Sequence, residues 1–174
     1  ELEGGQLVIP GNVSSQYVSA LLMIAPILTK GLDLKLTGEI VSRPYIDLTL
    51  HIMHEFGVAA EWTNFDTISV KPQQYTRRTY TIENDWTASS YWYEILALQD
   101  DLDAEVVISG LKDGSRQGDA AVRYIFSLLG IKTNFARKNA EGLTDATLTR
   151  HTRMLNRMDY DFINHPDLAQ TLIA

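Results

Sequence analysis

The chain contains two similar stretches, and this internal repeat constrains its fold more than any single motif. The first stretch runs from Ser14 to Val58 and the second from Ser89 to Ile131. Each reads as a helix, a strand, a glycine, a second helix and a second glycine. The corresponding residues lie 72 or 73 positions apart and are Gly38 with Gly110, Arg43 with Arg116, Asp47 with Asp119, and Gly57 with Gly130. A repeat kept in register over this length predicts two copies of one structural unit.

Hydrophobic periodicity predicts the same β-α-β-α-β-β order in both copies. In the first copy we predict strands at 7–9, 32–36, 58–62 and 67–71, and helices at 14–28 and 44–56. In the second copy we predict strands at 79–82, 105–109 and 131–135, weaker strands at 143–149 and 158–162, and helices at 87–98 and 118–129. The first helix is apolar nearly all round, which predicts burial on most sides, and Pro26 is expected to bend or end its last turn.

These elements predict an α+β fold, with small mixed sheets and the helices packed on one face of each. The expected units are 1–83, 84–163, and 164–174 as the truncated start of a third copy. The chain begins without methionine and stops inside an apolar segment, so we expect it to be a piece of a longer protein. No apolar run approaches the roughly 18 residues that a membrane helix needs, so no membrane partner is expected.

Composition excludes several function classes. The chain has no cysteine, which rules out disulfides, thiolate nucleophiles and cysteine–metal sites and fits a reducing compartment such as the cytoplasm. Its net charge of −7 disfavours nucleic acid, and the basic runs Arg77–Arg78 and Arg150–Arg157 lack interleaved aromatic residues. A small anion held by a few local groups remains compatible with this charge.

Two predicted helix starts form the best candidate site. Ser14 and Ser15 begin the first helix in the string GNVSSQY, and Ser42 precedes the second in SRPY. A helix start carries unpaired N–H groups and a partial positive charge, which suit a phosphate or carboxylate. If both helices follow parallel strands, the two starts open at one sheet edge and converge on one anion. Ordinary helix capping is the alternative for both.

Two further groups of side chains are candidates for a chemical role. Asp167 stands at the head of the last predicted helix, where a carboxylate caps the helix or serves as a base. His51 and His54 share one helical face at a spacing that can bind metal, but no third ligand is evident. We therefore expect no metal site.

Four strings in this order, GNVSSQYVSALLMIAP, SRPYIDLTLHIMHEFGV, RQGD and NHPDLAQT, resemble the 5-enolpyruvylshikimate-3-phosphate synthases (3-phosphoshikimate 1-carboxyvinyltransferases). The resemblance covers nearly the whole chain and corresponds to the middle of that enzyme. It implies two globes, each built of three β-α-β-α-β-β units. It also implies transfer of an enolpyruvyl group from phosphoenolpyruvate to the 5-hydroxyl of shikimate 3-phosphate, without metal or organic cofactor.

The resemblance also implies roles for individual residues. Ser14, Ser15 and Ser42 would bind the phosphate of shikimate 3-phosphate, and Gln16 and Tyr45 would contact its ring. Asp167 would bind ring hydroxyls and take part in proton transfer. The family string NHIPD is one residue shorter here, as NHPD, and RPY replaces the commoner KPY.

The cationic motifs that clamp phosphoenolpyruvate in this family are absent, so we expect the chain alone to be inactive. We expect its full-length parent to be active and monomeric. Three alternatives stay open: a UDP-N-acetylglucosamine enolpyruvyl transferase, a non-catalytic anion-binding module, and a folding unit that self-associates through apolar surface.

Overall fold

The structure is a computed structural model that describes residues 2–151, 155 and 157–173. The chain divides into two compact units, unit 1 (Glu1–Thr79) and unit 2 (Tyr80–Ala174), four residues before the predicted boundary of 83/84. Within the basic run Arg150–Arg157, residues 152–154 and 156 lie outside the described residues. Among the described residues, no helix combines the length and the apolar character that crossing a bilayer requires.

Unit 1 has the predicted β-α-β-α-β-β order. Its elements are β1 (Gly5–Pro10), α1 (Ser15–Ile24), β2 (Leu32–Thr37), α2 (Arg43–Glu55), β3 (Ala60–Asn64) and β4 (Thr67–Val70). The sheet order is β1-β2-β4-β3. β1 pairs with β2 in parallel, whereas β4 is antiparallel to both β2 and β3. The predicted mixed sheet is therefore confirmed in this unit.

The core of unit 1 lies between the two helices and one face of the sheet. Alternation along β2 buries its three leucines and exposes the residues between them, as expected for a strand with one covered face. On α2 the buried residues recur at helical spacing and are Ile46, Leu50 and Met53. Val18 and Leu22 of α1 join the same apolar cluster. Val8 of β1, on the opposite face of the sheet, is 60% exposed.

The prediction that the first helix is buried on most sides was wrong within unit 1. Val18 and Leu22 are its buried residues, whereas Tyr17 is 70% exposed and Met23 is 51% exposed. A single sheet layer contacts one side of a helix, so the other side of α1 stays open in the described part of this unit. The expected end at Pro26 is confirmed, because the chain passes into a short 3-10 helix at Ala25–Ile27.

Unit 2 repeats most of this architecture around its own core. Its elements are α3 (Trp86–Ala97), β5 (Glu105–Leu111), α4 (Val122–Leu128), β6 (Ile131–Phe135), β7 (Thr144–Arg150) and α5 (Ala169–Ile173). The antiparallel sheet has the order β5-β7-β6, which matches β2-β4-β3 of unit 1. The predicted helix at 118–129 begins as a 3-10 turn, Gly118–Ala121. The core includes Trp86, Tyr93 and Phe126.

Two predicted strands of unit 2, at 79–82 and 158–162, are wrong. Residues 79–85 form no ladder, although their alternating pattern resembles a strand. Asn84 instead ties this segment to β5, since its backbone N–H donates to the Gly110 carbonyl (2.8 Å) and its side-chain amide donates to the Ser109 carbonyl (2.8 Å). Residues 158–161 belong to no strand in the described part of the chain, and Phe162 begins a 3-10 turn that ends at Asn164.

The residues that carried the repeat fall into two groups. The glycines occupy matching places with positive φ: Gly38 (+73°) and Gly110 (+76°) after or within the second strand, and Gly57 (+83°) and Gly130 (+92°) after the second helix. The aspartates do not match, because Asp47 is exposed on α2 whereas Asp119 is 1% exposed. The C-terminal segment packs Leu168 into the core of unit 2, and its assignment to a third copy stays a prediction.

We expect Leu34→Ala to destabilise unit 1 by about 2–5 kcal/mol, because the side chain is fully buried in the centre of the sheet and its truncation leaves a cavity. Native-state hydrogen exchange of the β4 amides measures this change. Leu2→Ala is the matched control, since Leu2 is 74% exposed. Equal exchange rates in the two variants would contradict the assigned core.

Candidate functional site

Two loops meet where β1 and β2 end. These strands are parallel and in register through Pro10 and Thr37, so the loops that follow leave from the same edge of the sheet. The Gly11 N–H donates to the Thr37 carbonyl (2.7 Å), and the Val41 N–H donates to the Gly11 carbonyl (3.2 Å). Ser14 follows Gly11 by three residues, and Ser42 directly follows Val41.

Gly11 makes the close approach of the loops possible. A Cβ atom at this position would lie 2.7 Å from the Glu39 carbonyl oxygen and 3.0 Å from Cγ1 of Ile40. Real Cβ atoms do not approach a backbone oxygen that closely, so any larger residue would push the two loops apart. The sequence signal for this position is the Pro10–Gly11 pair after the strand predicted at 7–9, and such a pair by itself indicates only the end of a strand.

The first loop leads into α1 through Ser14 and Ser15. Ser14 is the N-cap residue, and its Oγ accepts a hydrogen bond from the Gln16 N–H (3.3 Å). Its hydroxyl proton is therefore available to an external acceptor. Ser14 and Gln16 are exposed, and Ser15, the first residue of α1, is half-buried.

The second loop places Ser42 in an unusual backbone conformation. Ser42 precedes α2 with φ +56° and ψ +34°, the left-handed region, and it is the non-glycine residue with positive φ in the described part of the chain. This conformation costs an L-residue about 1–2 kcal/mol. Its side chain caps no helix N–H, and the residue is 9% exposed. The surrounding structure, and not a capping hydrogen bond of its side chain, holds Ser42 in this conformation.

Tyr45 and Arg43 follow Ser42 in the first turn of α2. Tyr45 is half-buried, and its N–H donates to the Ser42 carbonyl (3.1 Å). Arg43 turns away toward the β3–β4 hairpin, where it donates to the Phe65 carbonyl (2.7 Å) and stacks 3.8 Å over the Trp62 ring. An anion at these loops would therefore meet hydroxyl groups and backbone N–H groups, and not the guanidinium of Arg43.

Asp167 belongs to unit 2, on a turn that is anchored on both sides. It is exposed within the 3-10 turn Pro166–Leu168. On one side His165 accepts or donates a hydrogen bond through Nδ1 with the Tyr160 hydroxyl (2.9 Å). On the other side Leu168 is fully buried. The carboxyl group of Asp167 is thus held at the surface by neighbours that are fixed in the unit.

The charged state of this turn is biased by its surroundings. Burial lowers the pKa of His165, while the negative charge of Asp119 acts against that change. Burial also raises the pKa of Tyr160, and the charges of Asp119 and Asp161 add to the effect. The neutral forms of both side chains are favoured, which suits a hydrogen bond between a hydroxyl and a neutral imidazole.

Within the described residues, no three histidine, aspartate or glutamate side chains lie together in a way that could hold a metal ion. His51 is half-buried and His54 is exposed on α2. Of the predicted site residues, unit 1 carries Ser14, Ser15, Gln16, Ser42 and Tyr45, and unit 2 carries Asp167. Three features of the site were not predicted from the sequence, namely the close approach at Gly11, the positive φ of Ser42, and the contact between Tyr160 and His165.

Comparisons with known proteins point to one family. A family model described as EPSP synthase (3-phosphoshikimate 1-carboxyvinyltransferase) matches residues 1–172. A 3-phosphoshikimate 1-carboxyvinyltransferase of Bacteroides fragilis is 47% identical over 174 residues, which is 100% of this chain and 40% of that protein. A 3-phosphoshikimate 1-carboxyvinyltransferase of Sulfurovum sp. is 33% identical over 98% of this chain and 38% of its own length. The chain thus spans about two fifths of these relatives.

A solved structure supports the fold. The EPSP synthase of Acinetobacter baumannii superposes with a TM-score of 0.65 at 15% sequence identity, over 97% of this chain and 37% of that one. At this identity the similarity establishes the α+β fold and carries no information on ligands.

We expect Ser42→Gly to stabilise unit 1 by up to about 1 kcal/mol, because glycine adopts positive φ without the steric cost that serine bears. Urea denaturation followed by the indole N–H NMR signal of Trp62 measures the change in unit 1, because Trp86 and Trp92 of unit 2 would also contribute to the fluorescence. Ser42→Ala removes the hydroxyl but keeps the Cβ, and it should not show this gain. A Ser42→Gly variant less stable than Ser42→Ala would mean that the backbone is not strained at this position.

We expect unit 2 to lose stability as the pH falls from about 7 to about 5, and part of this loss to come from His165. The folded pKa of His165 lies below its ordinary value of 6.5, so the unfolded chain takes up the proton first and acid favours unfolding. His165→Gln should show a smaller fall in urea midpoint over this range than the wild type. His54→Gln, which removes an exposed histidine from unit 1, is the control, and identical profiles for all three proteins would contradict the prediction.

Proposed function

Because the chain belongs to the EPSP synthase family, we propose that the whole protein transfers the enolpyruvyl group of phosphoenolpyruvate to the 5-hydroxyl of shikimate 3-phosphate. In this reaction the hydroxyl oxygen adds to C2 of phosphoenolpyruvate while C3 is protonated. Elimination of phosphate from the tetrahedral intermediate then leaves the enolpyruvyl ether. The observation that carries the proposal is the contact of the two loops before α1 and α2, with serines at both helix starts.

The phosphate of shikimate 3-phosphate would bind at these loops. Ser14 and Ser15 supply hydroxyl groups at the start of α1, an end of the helix that favours negative charge. Ser42 supplies a hydroxyl that caps no helix N–H in unit 1. A dianion can be held this way without a large basic surface, which is compatible with a chain whose net charge is −7.

The remaining site residues would contact the rest of the substrate. Gln16 and Tyr45 lie in the first turns of α1 and α2 and are proposed to contact the shikimate ring. Asp167 would accept hydrogen bonds from ring hydroxyls and take the proton of the reacting 5-hydroxyl. Its exposure at the surface of unit 2 supports this role, because a base must reach the proton that it removes.

We propose that the chain alone is inactive. It spans 40% of the length of its Bacteroides fragilis relative, and the cationic groups expected to hold phosphoenolpyruvate are absent from its motifs. Removing a single donor that stabilises developing charge typically costs an enzyme about 3–4 kcal/mol of transition-state stabilisation. Loss of a whole set of cations would therefore abolish measurable turnover.

Different observations bear on the alternatives to this function. The names of the matched relatives favour shikimate 3-phosphate over a UDP-sugar as acceptor. Self-association of the isolated chain is supported by exposed apolar side chains on α1 and α3, which include Tyr17, Met23, Tyr91, Trp92 and Ile95. Cytoplasmic location and a monomeric parent stay predictions.

We expect shikimate 3-phosphate to cause saturable amide NMR shifts at Ser14, Ser15, Ser42 and Tyr45 of the chain. Ser14→Ala should weaken the affinity by about 10- to 100-fold, because a hydrogen bond to a charged group contributes about 1.5–3 kcal/mol. Ser69→Ala is the control, since this serine lies on β4 and bonds to Asp33. Equal affinity of wild type and Ser14→Ala would remove Ser14 from the phosphate site, and absence of binding to the full-length protein would refute the proposed substrate.

A further inference from the structure

Unit 2 holds one of its own carboxylates between two loops that correspond to the loops of the candidate site in unit 1. Glu83 lies in the segment before α3 and reaches across to the loop that follows β5. Its Oε2 accepts hydrogen bonds from the Lys112 N–H (3.1 Å) and the Trp86 indole N–H (3.3 Å). Its Oε1 accepts one from the Ser115 hydroxyl (2.8 Å). A backbone N–H, an indole N–H and a hydroxyl thus surround a single carboxylate.

The correspondence with unit 1 rests on chain position and on hydrogen bonds. The Asn84 N–H donates to the Gly110 carbonyl as the Gly11 N–H donates to the Thr37 carbonyl, and both residues of the unit 2 pair lie 73 positions after their counterparts, so Glu83 takes the place of Pro10 in unit 1. In unit 1 the second loop donates to the first through a backbone N–H to a backbone carbonyl, from Val41 to Gly11. In unit 2 the Lys112 N–H donates to the carboxylate of Glu83. Unit 2 therefore carries a carboxylate in the segment before α3, at the place where unit 1 has the uncharged Pro10.

The loops around Glu83 are braced by further contacts that do not use its carboxylate. The Trp86 N–H donates to Oε1 of Gln117 (2.9 Å), and Nε2 of Gln117 donates to the Asn84 carbonyl (2.9 Å). The Gln117 N–H donates to Oγ of Ser115 (3.0 Å). The donors that face Glu83 are therefore positioned by neighbours that would remain if the carboxylate were removed.

We propose that Glu83 is an internal ligand that occupies a latent oxyanion site of unit 2. The donors around it are of the kind that bind a phosphate or a carboxylate, and Glu83 keeps external anions out. The consequence is selectivity for where an anion binds. The loop pair of unit 2 is filled by Glu83, which leaves the corresponding loop pair of unit 1 to an anionic substrate. The inference about unit 2 stands on the contacts of Glu83 and does not require any ligand to bind unit 1.

The test is a titration of Glu83→Ala with inorganic phosphate, compared with chloride at equal ionic strength. We expect saturable shifts of the Lys112 amide and the Trp86 indole N–H in Glu83→Ala and no such shifts in the wild type. Glu105→Ala is the matched control, because it removes one exposed carboxylate from β5 of the same unit and should behave as the wild type. Ser115→Ala in the Glu83→Ala background should weaken the phosphate affinity.

Two results would overturn the proposal. One is a folded Glu83→Ala, with wild-type shifts elsewhere in unit 2, that shows no phosphate response at Lys112 or Trp86. The other is a wild type that responds to phosphate at these same groups. If Glu83→Ala does not fold, Glu83→Gln carries the test, since a carboxamide keeps the volume but leaves fewer acceptor positions. Hydrogen exchange of the Lys112 amide should then be about tenfold faster than in the wild type, and unchanged exchange would count against an internal anion.

Discussion

The parallel pairing of β1 with β2 is the contact on which the rest of unit 1 depends. Parallel strands end at the same edge of a sheet, and each is followed here by a helix, so both helix starts meet at that edge. The absence of a side chain at Gly11 lets the two loops touch. Every serine of the proposed phosphate site is positioned by this arrangement and by the core that packs α1 and α2 onto the sheet.

Unit 2 reaches a similar arrangement by other means. Its first segment forms no strand, so the parallel pair is missing, and side chains hold the segment beside β5 instead. The side chains of Asn84, Glu83 and Gln117 make hydrogen bonds where unit 1 has a backbone ladder. Replacing a ladder by side chains allows a carboxylate to be placed between the loops. The two copies of one unit can thereby differ in charge at corresponding places while they keep the same sheet order.

Much of the architecture was predictable because it follows from local pattern. The alternation of β2 and the helical spacing of Ile46, Leu50 and Met53 each determine a buried face. The strand predicted at 79–82 failed for a physical reason, since alternation shows which side chains share a face but not whether a neighbouring strand is available. The same limit explains α1, whose apolar sequence indicates a covered helix although one side of it is open in unit 1.

The sequence by itself determined the repeat, the order of elements in unit 1, the serines at the helix starts and the family resemblance, because these depend on spacing and residue type along the chain. Tertiary structure alone decided the left-handed backbone of Ser42, the turn of Arg43 toward Trp62, and the enclosure of Glu83 by three donors. Each of these depends on groups that are distant in sequence or on a backbone angle forced by its surroundings. No local pattern encodes such a relation, and it exists only once each unit has folded.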